Sequence, residues 1–411
     1  MNNNKKAVIV GGGHAGGNLV IALRKAGFDG HITLVSDEGA LPYQRPPLSK
    51  SWLNESVTLE RLYLKPAAFY DEQRVQVMLN STVERIQRND KRLLLADGTA
   101  LEYDYLVLAT GARARPLALP GGEFENLHCL RNLADAERLK AQLHGATHLA
   151  VIGGGYIGLE VAASARQLGV KVSVIERESR LLARVASETL SHYYQRQHQA
   201  RGVDILNRVG VAELKSDAGR LTSVVLDNGV ETACDLALVG IGAIPNDELA
   251  RAAGLQVDNG IVVDHQARTS DPAIFAIGDV SQRPLPVYNR QFRLENISNT
   301  LEQAKIVAAV LAEQPLPADE VPWFWSDQYD IKLQIAGLGI DTDVDIVRGD
   351  PASDKFSVFR FCGDRLMAVE AVNSPAEFML GKKWIGAGTA VDRGLIADAS
   401  VSVRDCAVLH S

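Results

Sequence analysis

The chain has 411 residues, enough to fill two or three hydrophobic cores rather than one. Hydrophobic residues at 46% and charged residues at 23% match a globular protein, not a disordered or fibrous one. A net charge of -7 with no Lys/Arg-rich run argues against nucleic-acid binding, and no apolar stretch approaches the length of a membrane span. The polar start, Met1 to Lys6, lacks the apolar region of a signal peptide, so a cytoplasmic location is expected.

Lys6–Val10 is a short apolar run, the pattern of a strand buried on both faces of a parallel sheet. Gly11-x-Gly13-x-x-Gly16 follows at once, with His14 and Ala15 in variable positions, and Asn18–Ala26 reads as helix. Gly11 permits the tight turn, Gly13 lets the backbone approach a pyrophosphate, and Gly16 lets helix and strand pack closely. The helix N-terminus offers unpaired N–H groups and a partial positive charge to that pyrophosphate. His31–Val35 is the second predicted strand. Ser36-Asp37-Glu38 ends it at the distance where an acid accepts the ribose hydroxyls of a dinucleotide. Asp37 is the expected ligand and Glu38 the alternative.

Leu41–Lys50 is dense in proline and carries Arg45 and Lys50, which suits the stiff rim of a ligand site rather than a central strand or a helix interior. Met78–Gln87 and Arg92–Ala96 read as short strands about a turn at Asn89-Asp90. Leu101–Ala109 reads as a further strand ending in Thr110-Gly111, where glycine again permits close approach to a ligand. Leu133–Leu143 has helical spacing. The opening motif then recurs. His148–Ile152 is a strand, Gly153-x-Gly155-x-x-Gly158 the turn, Leu159–Leu168 a helix, Lys171–Ile175 a strand and Glu176 its terminal acid. Two complete strand–turn–helix–strand–acid units predict two dinucleotide sites, each on its own domain.

Ser223–Leu226 and Leu236–Gly240 read as strands, and Asp271–Val280 as a buried strand ending in Gly278-Asp279. Ser298–Glu313 has the spacing of a long amphipathic helix. From Trp323 the texture changes: Ile331–Leu338, Phe356–Phe361 and Arg365–Ala371 suggest a small sheet, and Ala376–Ile385 a helix. The cysteines, Cys129, Cys234, Cys362 and Cys406, lie far apart, without the spacing of a metal site or a redox disulfide, so buried inert thiols are expected and no metal.

Taken together, Gly11–Gly16, the Pro-Tyr-x-Arg-Pro-Pro-Leu-Ser-Lys stretch at 42–50, Ala109-Thr110-Gly111, Gly153–Glu160, Thr269–Val280, Glu295–Gln303 and the Trp-Phe-Trp-Ser-Asp-Gln segment at 323–328 resemble the FAD-dependent, NADH-using ferredoxin reductases of bacterial oxygenase systems. The resemblance implies an α/β fold with two Rossmann-like dinucleotide-binding domains and a small α+β C-terminal domain. The FAD domain would be discontinuous, 1–112 with 242–322. The NAD domain would span 113–241 and the C-terminal domain 323–411.

The resemblance further implies that FAD is held by the first glycine motif, with His14 and Ala15, and by Asp37, Arg45, Pro47, Lys50, Val83, Ala109, Thr110, Gly111, Arg131, Asp279, Val280 and Trp325. Asp279 would bond a ribityl hydroxyl, Arg45 and Arg131 the flavin's polar groups or phosphates, and Pro47 would wall one ring face. Trp325 would lie near the ring; core packing is the other role open to Trp323 and Trp325, and at least one of them is expected to be core. NAD would be held by Gly153, Gly155, Tyr156, Ile157, Gly158, Glu160, Glu176, Arg184 and Gly242. Lys50 and Glu160, the implied catalytic pair, would form an ion pair beside flavin N5; a plain early-helix acid is the other role open to Glu160. Tyr156 would either cover the flavin or simply pack. Glu176 would favour NADH over NADPH by repelling a 2′-phosphate, with Arg177 beside it as a counter-signal.

In such a protein NADH delivers a hydride to FAD, and electrons leave singly to a 2Fe–2S ferredoxin feeding a cytochrome P450 or Rieske dioxygenase. Rubredoxin or another acceptor is the alternative. The acidic ferredoxin would dock near the flavin edge on a local basic patch, for which Arg61, Lys65, Arg290, Arg293 and Lys332 are candidates; each also suits plain solvated surface. A monomer or weak homodimer is expected, with no nucleic-acid or membrane partner. A disulfide oxidoreductase of the same build would need the cysteine pair this chain lacks.

Overall fold

The computed structural model describes residues 4–119 and 124–408, so Met1–Asn3 of the polar start lie outside the described residues. The chain divides into two compact units. One comprises Met1–Arg45, Thr58–Arg113 and Ala243–Glu320, and the other Pro46–Val57, Ala114–Gly242 and Val321–Ser411. No helix among the described residues is long and apolar enough to cross a membrane.

The first unit is built on a five-stranded parallel sheet. Its central strand β1 (Lys6–Val10) lies between β2 (His31–Val35) and Tyr105–Leu108, with Val75–Met78 and Ile274–Ala276 at the edges. Val10 pairs with both Val35 and Leu108, so three strands end level with the glycine turn that follows β1. Strand order reverses about β1, and in such sheets the crevice beyond the strand ends is where ligands bind. Helix α1 (His14–Lys25) buries Leu19, Val20 and Leu23 in one core with Ala304, Val307 and Leu311 of the Ile297–Leu311 helix. Each such aliphatic burial stabilises by about 1.5–3 kcal/mol. On the opposite face, Val8, Val10, Leu106 and Leu108 meet Ile86, Leu93 and Leu95 of a small antiparallel sheet.

The second unit repeats the plan. Strand β3 (His148–Ile152) lies between β4 (Lys171–Glu176) and Leu236–Val239, followed by helix α2 (Tyr156–Gln167). Helix α3 (Glu188–Ala200) and Val203–Asn207 continue it. The same unit holds a five-stranded antiparallel sheet, led by β5 (Trp323–Gln328) and its neighbour Ile331–Gly337. The Pro375–Ala387 helix packs on this sheet so closely that a Cβ on Gly381 would sit 2.5 Å from Val369. Pro46–Ser49, within the proline-rich stretch, forms a single 3-10 turn.

Several predicted boundaries shift, for local reasons. Both glycine-motif helices start earlier than expected, at His14 and Tyr156, because Gly16 and Gly158 lie inside the first turn rather than before it. Met78–Gln87 is two elements, Val75–Met78 and Val83–Gln87, separated where Asn80 adopts a left-handed conformation with φ 50°. Leu101–Ala109 breaks at Tyr103-Asp104, where the Asp104 carboxylate accepts from Lys6 N–H at 2.8 Å. Asp271–Val280 contains only a short strand, Ile274–Ala276, before a 3-10 turn at Gly278–Val280. The composition of α3, rich in glutamine and histidine, hides it from apolar periodicity.

Candidate functional site

In the first unit the glycine turn is closed by backbone contact. Gly11 has φ +117°, and a Cβ there would lie 2.2 Å from the Ala109 carbonyl oxygen; one on Gly16 would lie 2.0 Å from the Gly11 oxygen. Ala109 therefore does bound the turn. Thr110 Oγ1 donates to the Asn246 carbonyl at 2.7 Å, and Gly111 accepts from Asn246 N–H at 3.0 Å. A Cβ on Gly278 would be 3.0 Å from the Ala15 Cβ, so the Gly278-Asp279 turn sits against the start of α1. Gln303, which sequence patterning does not single out, fixes that turn: its Oε1 accepts from Gly278 N–H at 2.7 Å and Ser281 Oγ at 2.9 Å. Val280 is buried in the core, and Val83 is half-buried on its strand.

Among the described residues, side chains cap the first N–H groups of several α-helices: Leu133–Leu143 by Asn132, α3 by Ser187, Ile297–Leu311 by Asn296 and Arg393–Ala397 by Asp392. Helices α1 and α2 begin on Gly13 and Gly155, with no side-chain cap and no acid in the first turn. Their donors are left for an anion, and neighbouring backbone packs so closely on Gly11 and Gly153 that neither position has room for a Cβ. The residues present fit a pyrophosphate at both places.

Around the first cradle, Glu38 is committed. It accepts from Tyr43 Oη at 2.6 Å and pairs with Arg45, whose guanidinium lies 3.4 Å from where a Cβ on Gly13 would be. Asp37 is exposed and makes no hydrogen bond within the described residues. The register also differs between the two sites. Val10 pairs with Val35 and Ile152 with Ile175, so Ser36, rather than Asp37, stands level with Glu176. His14 Nδ1 is buried without a partner, and burial, with Arg45 nearby, lowers the imidazole pKa to about 4, so it is neutral at pH 7.

In the second unit, Gly153 has φ +109°, and its Cβ would meet the Gly240 oxygen at 2.5 Å. Glu176 is the acid of this site: its carboxylate accepts from Gly154 N–H at 2.7 Å and Glu178 N–H at 2.8 Å. Arg177 points away, 84% exposed and 3.8 Å from Glu178. Arg184 reaches Gly242, 3.9 Å from a Cβ built there. Ile157 is an exposed apolar side chain on the first turn of α2. The Tyr156 ring packs on Phe324 at 4.5 Å between centroids.

Lys50 and Glu160 do meet, at 2.6 Å, with Glu160 only 3% exposed and Lys50 21%. Two hydroxyls that sequence reasoning missed complete the shell. Ser49 Oγ donates to Glu160 Oε2 at 2.5 Å, and Ser326 Oγ donates to Oε1 at 2.6 Å. Ser49 follows the prolines and Ser326 lies in the tryptophan segment, so both were within recognised motifs. Pro47, Lys50, Arg131 and Trp325, grouped with the flavin by sequence, belong to the second unit. Arg131 N–H donates to Asp135, the acid of the Asn132 capping box.

Neither tryptophan is core, contrary to expectation. Trp323 and Trp325 are both half-buried, 5.5 Å apart between centroids, because the other face of β5 carries the buried Ser326 and Gln328. Of the basic candidates, Arg293 is paired with Glu295 at 2.5 Å and 10% exposed, which removes it from any patch. Lys65 lies over the Phe69 ring, whereas Arg61, Arg290 and Lys332 are exposed. The cysteines form no disulfide. Cys234 and Cys406 are buried, but Cys129 and Cys362 are half-buried, since each sits at the end of a strand or loop rather than in a core; burial raises the Cys234 pKa to about 12. No group of three His, Cys, Asp or Glu among the described residues is placed to hold a metal ion.

Two uncapped glycine-turn helices, each at the end of a parallel sheet, define a protein of two dinucleotide-binding domains. The model of the pyridine nucleotide-disulphide oxidoreductases matches residues 5–304, and that of the reductase C-terminal domain residues 323–407. The chain is 47% identical to the probable ferredoxin reductase CtmF of Castellaniella defragrans, over 99% of this chain and all of that one. It is 44% identical to putidaredoxin reductase CamA of Pseudomonas putida, over 98% and 97%. The fold matches the reductase in a crystal structure of the covalent putidaredoxin reductase–putidaredoxin complex with a TM-score of 0.96 and 42% identity, covering 98% of each chain. The chain belongs to the pyridine nucleotide-disulphide oxidoreductase family, with a reductase C-terminal domain. Its cofactors are FAD and NADH.

Proposed function

We propose that this chain is the NADH-dependent ferredoxin reductase of an oxygenase system, working in the cytoplasm. The observation that carries this reading is the Lys50–Glu160 pair, set at the second cradle in a chain with no paired cysteine. FAD, when bound, supplies the chemistry that takes a hydride from NADH and passes electrons on singly. The protein's part is positioning and electrostatics.

The first cradle holds the FAD pyrophosphate on the α1 N–H groups, with Arg45 above the turn and Asp37 left free to accept ribose hydroxyls. Asp279 stands beside the start of α1 for the ribityl chain. Neutral His14 adds no positive charge there. The second cradle holds NADH. Glu176, already turned toward the glycine loop, accepts the ribose hydroxyls and disfavours a 2′-phosphate, while Arg177 is turned to Glu178. By the family resemblance, Lys50 would serve the bound flavin with its positive charge, which favours a ring that gains electrons, and Glu160 holds that ammonium in place. Arg61 and Arg290 in the first unit and Lys332 in the second each offer exposed positive charge to an acidic 2Fe–2S ferredoxin, and the ionic-strength dependence of its KM reports their contribution.

The test is NADH-driven cytochrome c reduction by the holoenzyme, with and without added 2Fe–2S ferredoxin or rubredoxin. Turnover that requires the ferredoxin supports the reading; turnover that requires rubredoxin instead replaces the acceptor. Lys50→Met is expected to slow flavin reduction by NADH at least tenfold, about 1.4 kcal/mol. Full-speed reduction in that variant would overturn the role of the pair.

A further inference from the structure

The Lys50–Glu160 pair is one end of a longer buried chain of polar groups, all within the second unit. Glu160 Oε1 accepts from Ser326 Oγ at 2.6 Å, and Ser326 Oγ accepts from Gln328 Nε2 at 3.2 Å. Gln328 Oε1 lies 2.8 Å from His198 Nε2, and His198 Nδ1 lies 3.2 Å from Tyr329 Oη. Glu160, Ser326, Gln328 and His198 are all buried, His198 completely. The far end reaches the surface: the Tyr329 ring faces Arg201 at 4.5 Å, and Arg201 pairs with the exposed Asp330 at 3.0 Å.

The direction of every proton follows from the carboxylate. The Ser326 proton is committed to Glu160, so Ser326 Oγ has only lone pairs left to offer. Gln328 must therefore turn its NH2 toward Ser326 and its oxygen toward His198. An amide oxygen only accepts, so His198 carries its proton on Nε2. Burial keeps the imidazole neutral, with its pKa lowered to about 4, so Nδ1 is bare and takes the Tyr329 O–H. All four donors thus run toward Glu160, and bonds aligned in this way polarise one another. Stability alone does not call for such a chain, since apolar residues of the same volume serve as well or better.

We propose that Ser326, Gln328 and His198 are positioning residues that lock the Glu160 carboxylate so that Oε2 faces the Lys50 ammonium. The inference rests on the reading of Lys50 and Glu160 as the charge pair serving the flavin. Ser49 Oγ holds the same oxygen as Lys50, at 2.5 Å, and is itself anchored, its carbonyl accepting from Ser164 Oγ at 2.9 Å. Without Ser326, Oε1 has no donor, and the carboxylate can rotate about its last torsion while keeping one bond to Lys50.

The experiment uses FAD-loaded full-length protein. Ser326→Ala is expected to slow single-turnover flavin reduction by NADH roughly tenfold, with the KM for NADH changed less than twofold, and Ser326→Thr to restore it. Gln328→Met, which cuts the chain one residue further out, should shift the rate in the same direction. A readout independent of turnover is the nitrogen NMR spectrum of histidine-labelled holoenzyme. It should show a single Nε2–H tautomer for His198, and Glu160→Gln, remote from the imidazole in sequence and three groups away in the chain, should disturb it. If Lys50→Met slows reduction but Ser326→Ala and Gln328→Met do not, the positioning role falls and the charge pair stands. If His198 shows mixed tautomers, or an unchanged spectrum in Glu160→Gln, the aligned chain is refuted whatever the rates. If Lys50→Met and Glu160→Gln are both silent in rate, the underlying reading falls with it.

Discussion

In the function proposed above, a single side chain in the second cradle, Glu176, carries the choice of coenzyme. Glu176 does two jobs, holding Gly154 N–H and Glu178 N–H while presenting its carboxylate at the end of β4. Glu176→Ala is expected to lower kcat/KM for NADH by roughly ten- to a hundredfold, the range of a lost hydrogen bond to a charged group. NADPH should lose less, because the repulsive charge goes too. Paired steady-state assays with the two coenzymes measure this. An unaltered ratio of their kcat/KM values would move the discrimination elsewhere. Sequence spacing located Glu176 without help, since the acid directly ends its strand. At the first site the same spacing left Asp37 and Glu38 open. Which of them is free depends on Tyr43 and Arg45, which come back to Glu38 from the proline-rich stretch.

At the scale of the element, the two glycine-turn helices are the parts that tolerate least change. A Cβ on Gly16 would lie 2.0 Å from the Gly11 oxygen, and one on Gly158 2.3 Å from the Gly153 oxygen, and backbone cannot yield to that extent. Gly16→Ala is expected to purify without the yellow flavin absorbance. Gly158→Ala should keep its flavin but show a strongly raised KM for NADH. The reverse pattern would exchange the coenzymes between the cradles. Helix α3 is held by another kind of contact. Ser187 Oγ accepts from Leu190 N–H at 3.1 Å and donates to Glu370 at 2.5 Å, tying the helix cap to the C-terminal sheet. Ser187→Ala should cost about 1–2 kcal/mol and lower the thermal midpoint by a few degrees. Calorimetry on the holoenzyme tests it, and a midpoint within one degree would mean that the cap is replaceable. Periodicity misses α3 because its polar positions are satisfied by partners far along the chain.

For the whole molecule, buried histidines are expected to contribute to the loss of stability in acid. His14 in the first unit and His198 in the second have pKa values lowered to about 4, while an unfolded histidine titrates near 6.5. Between those values the unfolded chain binds more protons, so stability is full above pH 6.5 and is lost as pH falls toward 4. For His198 alone the loss at pH 5 is about 2 kcal/mol. Glu370, raised by burial, works in the opposite sense and offsets part of it. His198→Gln should flatten the fall in urea midpoint between pH 7 and pH 5. An equal slope in wild type and variant would show that His198 does not titrate in that window.

The sequence by itself determined the two nucleotide cradles, their glycines, the terminal acid of the second, and the pairing of Lys50 with Glu160 that the resemblance implied. Those features are local, or belong to short motifs whose geometry follows from backbone sterics and helix ends. Only the tertiary structure decided that the proline-rich stretch from Pro46 joins the second unit, that Ser49 and Ser326 close on Glu160, and that the buried face of β5 is polar. Serine, glutamine and histidine carry no periodic signal, and a hydrogen bond joins residues according to distance in space. Glu160 and Ser326 are 166 positions apart along the chain, and folding brings their oxygens within 2.6 Å.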